Sequence, residues 1–306
     1  MQKPVRQKAS GGKMYELIQV SENCYYIQSP AKIGLIKTDD SHVILIDSGN
    51  DKDAGKKVKR HLDANGWTLT AIFNTHSHAD HIGGNAYLQN QTGCRIYAPG
   101  IEADFTAHPV LEPSYLYGAN PPKDLRHKFL MAQPSEVLPL TEDALPAGMK
   151  MISLPGHSFD MVGFRTPDNI VYLADCLSNA ETIAKYQISF LVDPGKYIET
   201  LQMVAKMEAD LFIPAHAEPA GEIASLAELN IAKVNEIAEK IVELCKEPKS
   251  FEQILQSLFD QYSLVMTFEQ HALVGSTVRS YLSWLKDQGK LTADFENNML
   301  MWKAAA

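Results

Sequence analysis

Residues 75–84 read Thr-His-Ser-His-Ala-Asp-His-Ile-Gly-Gly and place four side chains that commonly bind metal ions within six positions: His76, His78, Asp80 and His81. Imidazole suits zinc, and a carboxylate beside it allows a second divalent ion to bind nearby. Because metal sites of this density are typical of hydrolases, the stretch predicts both a cofactor and a type of reaction. The alternative is a polar loop whose histidines cap backbone groups.

The sequence on either side of this stretch predicts alternating strands and helices. Residues 70–74 are expected to form a short buried strand, and Gly83-Gly84 allows a tight turn into a helix over residues 85–91. Helical spacing also marks residues 52–65 and 197–207. Further strands are predicted over residues 15–20, 24–27, 33–37, 43–47, 95–98, 149–154, 164–174 and 211–214. This order predicts two sheets, each flanked by helices.

Three more candidate ligands follow predicted strands far along the chain. His157 stands in Leu-Pro-Gly-His-Ser, Asp175 in Tyr-Leu-Ala-Asp-Cys and His216 in Ile-Pro-Ala-His-Ala. Proline or glycine beside His157 and His216 would hold these loops rigidly, as a metal site requires. Cys176 follows Asp175 directly, but neighbouring side chains of a strand point to opposite faces, so only one of the two can face the metals. We favour Asp175, because a carboxylate is the harder ligand.

With these residues in place, the chain resembles the metallo-β-lactamase superfamily over residues 15–220, and in motif it is similar to the glyoxalase II-like hydrolases. The similarity rests on Leu45-Ile-Asp-Ser-Gly, on the 76–81 motif, and on His157, Asp175 and His216 in that order. It implies an α/β fold, an αβ/βα four-layer sandwich with two divalent metal ions at one edge. Zinc is the first expectation for these ions, with iron or manganese as alternatives.

The same resemblance implies a role for each matched residue. His76, His78 and His157 would hold one ion, Asp80, His81 and His216 would hold the other, and Asp175 would bridge the two. Asp47 would orient the ligand loop from outside the metal shell. Antibiotic-degrading members carry other residues around the second metal, whereas His81 fits the hydrolase branch, and flavin-linked diiron relatives carry Glu where His78 stands.

The predicted reaction is hydrolysis of a small ester, thioester or lactone by a hydroxide that bridges the two ions, with Asp80 as a catalytic residue that helps position it. Three alternatives stay open: a metal-dependent endoribonuclease or phosphodiesterase, a mononuclear iron sulfur dioxygenase, and a metal-responsive regulator without catalytic activity. The remaining histidines are expected to be surface or hydrogen-bonded residues: His42, His61, His108, His127 and His271.

Residues 104–136 interrupt the alternation of strands and helices with five prolines. A long irregular insertion in such a fold is more often a loop that covers the site than a filler, so we expect it to contact substrate. Aromatic and basic side chains within it could bind a substrate with an apolar body and a negative end: Tyr115, Tyr117, Arg126, Lys128 and Phe129.

The chain from residue 223 to 306 is predicted to form a separate helical domain. Helices are expected over residues 224–245, 251–262, 268–274 and 277–287, followed by a hairpin of 289–292 with 299–302. This pattern resembles the winged-helix tail of β-lactamase-like proteins that include an endoribonuclease. The predicted third helix offers only Arg279 and Lys286 as cations, so nucleic-acid binding is disfavoured and a lid or a homodimer contact is preferred.

The composition of the 306 residues is ordinary for a soluble globular protein with a sizeable core. Hydrophobic residues make up 45 %, and the net charge of −9 argues against a protein that coats nucleic acid or an anionic membrane. No apolar run is long enough to span a membrane, and residues 1–14 lack the apolar core of a secretion signal. We therefore expect a flexible tail over residues 1–14, a cytoplasmic location and four reduced cysteines.

Overall fold

Two β-sheets face each other in the computed structural model, which describes residues 13–305. The first sheet has seven strands in chain order: β1 (Leu17–Gln19), β2 (Cys24–Ile27), β3 (Ile33–Lys37), β4 (His42–Ile46), β5 (Thr68–Phe73), β6 (Arg95–Ala98) and β7 (Leu138–Pro139). Pairing is antiparallel from β1 to β4 and parallel from β4 to β7. The tail predicted for residues 1–14 lies, as far as residue 12, outside the described residues.

The second sheet has four strands in the order β11-β10-β9-β8: β8 (Lys150–Ser153), β9 (Val162–Arg165), β10 (Ile170–Ser178) and β11 (Leu211–His216). β10 and β11 are parallel, and the other two pairs are antiparallel. The segment predicted over residues 164–174 is divided by a turn at Asn169, whose φ of 56° lies in the left-handed region that Asn tolerates.

Ten helices lie in the described residues: α1 (Lys52–Asn65), α2 (Ala79–Ile82), α3 (Asn85–Thr92), α4 (Glu102–Ala107), α5 (Leu111–Tyr117), α6 (Ala180–Tyr186), α7 (Pro194–Val204), α8 (Ala224–Leu244), α9 (Phe251–Gln261) and α10 (Phe268–Asp287). The predicted α1 is confirmed with both of its ends. Asp51 caps its first turn through its side chain, and Gly66, at a φ of 67°, ends it.

The helices and sheets stack in four layers. Between the sheets lies an apolar core that includes Phe73, Phe164 and Tyr172. Side chains of α1 and α3 cover the outer face of the first sheet, whereas α7 and α8 cover the outer face of the second. The predicted αβ/βα sandwich is therefore confirmed, and each sheet buries both faces as expected when helices lie outside it.

The prediction that residues 104–136 are irregular is wrong in part. The segment contains most of α4, all of α5 and a 3₁₀ turn at Lys123–Leu125. Pro113 lies in the first turn of α5, where the backbone N–H has no partner within the helix, so a proline there does not prevent helix formation. Pro113 therefore marks a helix start and does not belong to a continuous loop.

The chain beyond residue 222 forms α8, α9, α10 and a small antiparallel sheet of β12 (Lys249–Ser250), β13 (Leu291–Glu296) and β14 (Met299–Ala304). The predicted break between two helices near residue 275 is wrong, because Gly275 and Ser276 lie within the continuous α10. Burial of one face of α10 outweighs the cost of about 1 kcal/mol for an interior glycine. The winged-helix assignment and the boundary at residue 223 stay predictions, and one apolar cluster runs from Leu154 to Leu291 across that boundary.

Between residues 13 and 305, no single helix is both long enough and apolar enough to cross a lipid bilayer.

Candidate metal centre

The seven predicted ligands lie at one edge of the two facing sheets. His76 follows β5 and His157 follows β8, while Asp175 and His216 lie near the carboxyl ends of β10 and β11. Because β8, β10 and β11 run in the same direction, their ends meet at the same edge. Strand ends from both sheets therefore deliver all seven side chains to one place.

The ligand atoms fall into two groups, each with all its atoms within 4.8 Å of one another. The first ligand group consists of His76, His78, His157 and Asp175. Within it, Nδ1 of His78 lies 3.0 Å from Nε2 of both His76 and His157. Three imidazole nitrogens thus converge on one point, as in a zinc site with three histidine ligands.

The second ligand group consists of Asp80, His81, Asp175 and His216. Nε2 of His216 lies 3.3 Å from Oδ2 of Asp80 and 3.1 Å from Oδ2 of Asp175. Oδ1 of Asp175 lies 2.9 Å from Nε2 of His81. Asp175 belongs to both groups, so its two carboxylate oxygens have the position of a bridging ligand.

Two buried atoms of the centre have no hydrogen-bond partner among the described residues. They are Nε2 of His81 and Oδ1 of Asp175, which approach each other without the geometry of a hydrogen bond. A buried polar atom without a partner costs about 1–3 kcal/mol, so such an atom calls for an explanation. A divalent cation between the nitrogen and the oxygen would satisfy both, and the donor set fits such an ion.

The ring nitrogens that face away from the centre are held by oxygen atoms. Nδ1 of His157 donates to the carbonyl of Phe190 and Nδ1 of His216 to the carbonyl of Pro30, each at 3.0 Å. Asp47 accepts from Nδ1 of His81 at 2.7 Å. Hydrogen bonds of this kind set the tautomer of each ring and leave Nε2 free to bind a metal. Asp47 thus lies where the sequence predicted an orienting residue.

The electrostatic environment differs between the two groups. Burial lowers the pKa of His78 and of His157 to about 4, and it lowers the pKa of His76 well below its usual value. Burial also opposes a charge on His216, yet the carboxylate of Asp175 raises its pKa to about 10. The first group therefore presents neutral imidazoles, whereas two carboxylates make a cation favourable in the second.

Glycines allow the loops of the centre to pack closely. A Cβ atom on Gly84 would lie 2.3 Å from the carbonyl oxygen of Ser48. Gly156, which directly precedes His157, has a φ of 123°, and its Cβ would lie 2.4 Å from the backbone nitrogen of Tyr197. Both positions require glycine for steric reasons.

Cys176 lies apart from the ligand groups. Its side chain is fully buried in the apolar cluster on the outer face of the second sheet, while Asp175 faces the histidines. Burial raises the pKa of the Cys176 thiol, which keeps it protonated. The four cysteines are free thiols in the structure.

A cavity of about 570 Å³ opens onto the centre beside His157, Asp175 and His216. Its wall comes from α6, from the loop that includes Phe190, and from α10. Apart from the candidate ligands, the residues that line it were not identified from the sequence, among them Asn179, Lys185, Tyr186, Phe190 and Gln270. No spacing rule could have found them, because they converge only once α6 and α10 pack against the sandwich.

The substrate residues predicted in the insertion are not brought to this cavity. Tyr115 and Tyr117 border a different cavity, beside Arg279 and Trp284. Arg126 is exposed, and Phe129 is 67 % exposed. Lys128 pairs instead with Asp51 at 2.9 Å. The insertion packs on α10 through the buried Leu116, Leu125 and Ala272, so its aromatic content serves packing near α10.

Two buried glutamates beside the motif were also missed. Glu102 accepts hydrogen bonds from both the backbone and the hydroxyl of Ser77. An oxygen of Glu112 lies 3.6 Å from Nε2 of His78, and burial raises the pKa of this carboxyl to about 8. Glu112 lies on α5, within the segment 104–136 that was predicted to be irregular, and Glu102 lies on α4, just before that segment.

Four of the five remaining histidines have polar partners away from the centre, as predicted. His42 lies 2.9 Å from Asp39, His271 lies 3.0 Å from Glu252, and His127 pairs with Glu269. Nε2 of His61 lies 2.8 Å from the carbonyl of Tyr15. His108 is exposed.

Comparison with known proteins gives one family match and a set of partial relatives. The family model described as the metallo-beta-lactamase superfamily matches residues 20–216. A protein named hydroxyacylglutathione hydrolase from Maricaulis maris is 28 % identical over 125 residues, which are 39 % of this chain and 38 % of that protein. Another of that name, from Bradyrhizobium sp. (strain ORS 278), is 55 % identical over 42 residues, 14 % of this chain and 16 % of the other. The chain thus spans well under half the length of these curated relatives.

Solved structures resemble the chain over nearly its whole length. A beta-lactamase domain protein from Burkholderia ambifaria superposes with a TM-score of 0.72 at 16 % identity, covering 97 % of this chain and 95 % of that one. A metallo-beta-lactamase family protein from Thermus thermophilus gives 0.69 at 17 % identity, covering 94 % and 97 %. At such identities the likeness concerns the fold, including its C-terminal helices.

Proposed function

The chain belongs to the metallo-beta-lactamase superfamily, and from this premise we propose that it is a dizinc hydrolase of a small thioester, ester or lactone. The position of Asp175 carries the proposal. Its carboxylate lies between two groups of ligand atoms and is within 4.0 Å of imidazole nitrogens of four histidines: His76, His81, His157 and His216. Hydrolysis with two metals needs such a shared ligand, because both ions must act on the same reacting atoms.

In this proposal His76, His78 and His157 hold one ion, Asp80, His81 and His216 hold the other, and Asp175 bridges them. When bound, two divalent ions would lower the pKa of a water molecule between them and polarise the oxygen under attack. The residues of the chain fix where this happens. The neutral imidazoles of the first group offer lone pairs, and Asp47 keeps His81 in the tautomer that presents Nε2.

Asp80 is the proposed catalytic residue. Its carboxylate oxygen lies 3.3 Å from His216 and 3.8 Å from His81, and its side chain is 40 % exposed, more than any other member of the two groups. A carboxylate at the open side of the centre can accept a hydrogen bond from the attacking water and orient it.

A thioester is the preferred substrate among the three classes. The curated relatives are named hydroxyacylglutathione hydrolases, and the cavity beside the centre is lined by both apolar and polar side chains. Leu273 and Val274 of α10 could accept an apolar acyl chain, while Lys185 and Gln270 at the same cavity could bind polar ends. This gives residues 223–306 a role as part of the wall of the substrate site, in line with the predicted lid.

The proposal is tested by elemental analysis of the purified protein together with a panel of thioesters, lactones, esters and phosphodiesters. We expect two zinc ions per chain and hydrolysis of a carbonyl substrate. Asp175→Asn should reduce kcat/KM by at least a factor of about a hundred and release metal, whereas Asp143→Asn, at an exposed turn, should change neither. One iron per chain with oxygen consumption, or turnover of phosphodiesters alone, would overturn the proposal.

A further inference from the structure

We propose that Glu102 is a positioning residue that holds together the two loops of the first ligand group and thereby determines the affinity of one of the two metal positions. The inference rests on the proposed function, because it presupposes that both groups bind a metal. It concerns a residue outside the 76–81 motif, on helix α4.

The carboxylate of Glu102 joins two segments that are distant in sequence. Its Oε2 accepts from the backbone N–H of Ser77 at 3.0 Å and from the Ser77 hydroxyl at 2.6 Å. Its Oε1 accepts from the backbone N–H of Asp160 at 3.1 Å. Ser77 stands between His76 and His78, and Asp160 follows His157 by three residues. One side chain therefore ties the loop of His76 and His78 to the loop of His157.

The surroundings of Glu102 make this contact rigid. The residue is 1 % exposed, so its hydrogen bonds do not compete with water. Asp160 returns a bond to the same turn, since its Oδ2 accepts from the backbone N–H of Ile101 at 3.0 Å. Gly100 makes room for this approach, because a Cβ atom there would collide with the Asp160 carboxylate. Two reciprocal carboxylates thus fasten the start of α4 to the His157 loop.

A carboxylate is needed because all three bonds are accepted. A glutamine at this position could keep its side-chain oxygen on Ser77, but its NH2 group would then face the backbone N–H of Asp160. Both of these groups are hydrogen-bond donors, so no bond could form between them. Leaving buried backbone donors without a partner is costly, so the loop of His157 would move. Nδ1 of His78 lies 3.0 Å from Nε2 of both His76 and His157, and a small displacement of one loop is enough to spoil this convergence.

Asp47 has the corresponding position on the other side of the motif. It accepts from Nδ1 of His81 and from the backbone and hydroxyl of Thr75. Among residues 13–305, the hydrogen bonds of the Glu102 carboxylate go to Ser77 and Asp160, and to no member of the second group. Glu102 thus acts on the loops of His76, His78 and His157 alone, whereas Asp47 contacts a ligand of the second group, His81, directly.

The test measures zinc affinity in proteins that keep a single metal position. His216→Ala weakens the second position and leaves the first, and His157→Ala does the reverse. We add Glu102→Gln to each and titrate zinc against a chromophoric chelator, with the visible spectrum of the cobalt-loaded protein as a second readout. Glu142→Gln, on an exposed 3₁₀ turn, is the control.

Glu102→Gln should weaken zinc binding about 10–100-fold in the His216→Ala protein and leave it unchanged in the His157→Ala protein. The cobalt spectrum should change only in the first case. The inference would be overturned if Glu102→Gln changed the zinc affinity equally in the two proteins, or if it lowered stability without changing the zinc affinity. Either result would leave the proposed function intact. Should the unmodified chain bind no zinc, the proposed function itself fails. Glu102→Gln is used and not Glu102→Ala because glutamine retains the size of the side chain, so the variant can fold where the alanine variant does not.

Discussion

Oδ2 of Asp47 lies 2.7 Å from Nδ1 of His81, and the backbone of Asp47 adopts a left-handed conformation with a φ of 62°. The same carboxylate accepts from the backbone and the hydroxyl of Thr75, the residue before His76. Asp47, the residue directly after β4, therefore orients both the start and the end of the candidate metal-binding stretch, at Thr75 and His81. Only few residue types tolerate this backbone conformation, and Asp and Asn are among them.

Asp47→Asn should weaken zinc binding at the second ligand group by about 10–100-fold. Asparagine tolerates the left-handed backbone and can still accept from Thr75, but its amide group would face Nδ1 of His81. A donor at this point favours the tautomer with the proton on Nε2, which cannot bind a metal. Zinc titration against a chelator measures the effect, and Asp63→Asn at the end of α1 is the control. An unchanged affinity would show that His81 keeps its orientation without Asp47.

The convergence of the candidate ligands could be predicted from the sequence because each stands beside a local signal. His157 follows a Pro-Gly turn and His216 follows a buried apolar run, and both lie at strand ends in the structure. Parallel strands bring such ends to one edge, so residues far apart in the sequence meet without any local clue to their distance. The four layers could be predicted from a local signal as well, since the apolar periodicity of α1 and α7 marks the helix faces that cover the sheets.

The support from Glu102 and the cavity beside the centre could not be predicted in this way. Glu102 contacts backbone N–H groups, which are present at almost every position and leave no mark in a sequence. Lys185 and Gln270 reach one cavity because α10 continues through Gly275, where intrinsic propensity favours a break. Tertiary packing overrode local preference there, and it also turned the proline-rich insertion into two short helices.

Zinc should stabilise the protein against heat. Two buried atoms of the centre, Nε2 of His81 and Oδ1 of Asp175, lack hydrogen bonds within the described part of the chain, and a bound ion would satisfy both. A ligand that binds only the folded state, at about a hundred times its Kd, adds about 2.7 kcal/mol, which is roughly 4 °C in Tm for a chain of this size. Calorimetry of the chelator-treated protein with and without zinc measures the shift. A chain with His157→Ala and His216→Ala should show almost none, and an equal shift in both proteins would contradict the site.

Gly156→Ala should reduce both the stability of the fold and the affinity for zinc. The residue has a φ of 123°, and the added Cβ would lie 2.4 Å from the backbone of Tyr197, so the loop of His157 must move. Strain of this kind costs about 1–3 kcal/mol. Urea unfolding and zinc affinity report the two effects. Gly221→Ala is the matched control, because its Cβ would meet only the carbonyl of Asp210, at 3.9 Å. Equal behaviour of the two variants would argue against a steric requirement for glycine before His157.

The turn between β3 and β4 should lose part of its stability in acid. The backbone N–H of Ser41 and the side chain and N–H of His42 lower the pKa of the Asp39 carboxyl from 3.8 to about 2. Since the pKa is lower in the folded state, the contribution of Asp39 is fully present above about pH 4 and is lost as the pH falls towards about 2. The free energy of unfolding of Asp39→Ala should therefore be lower than that of the unmodified chain at about pH 6. At about pH 3 the two values should lie closer together. A difference that stayed constant between about pH 6 and about pH 3 would contradict this role of Asp39.

Tyr281 on α10 offers a test of how the C-terminal helices pack. Its side chain is fully buried, and its hydroxyl has no hydrogen-bond partner among the described residues. Tyr281→Phe removes this hydroxyl and should raise the free energy of unfolding by about 1 kcal/mol, because an unsatisfied buried polar group is costly. Tyr262→Phe is the matched control, since the Tyr262 hydroxyl donates to Glu236 at 2.8 Å.

That control should lower the free energy of unfolding by about 0.5–1.5 kcal/mol, the usual net value of a hydrogen bond. The two substitutions remove the same atom from neighbouring parts of one helical cluster, so opposite signs would isolate the effect of the hydrogen bond from the effect of size. Urea unfolding of both variants measures the difference. If both variants lost stability equally, the Tyr281 hydroxyl would have a partner in solution, such as a buried water molecule. The packing of α10 against the sandwich would then leave room for that water beside Tyr281.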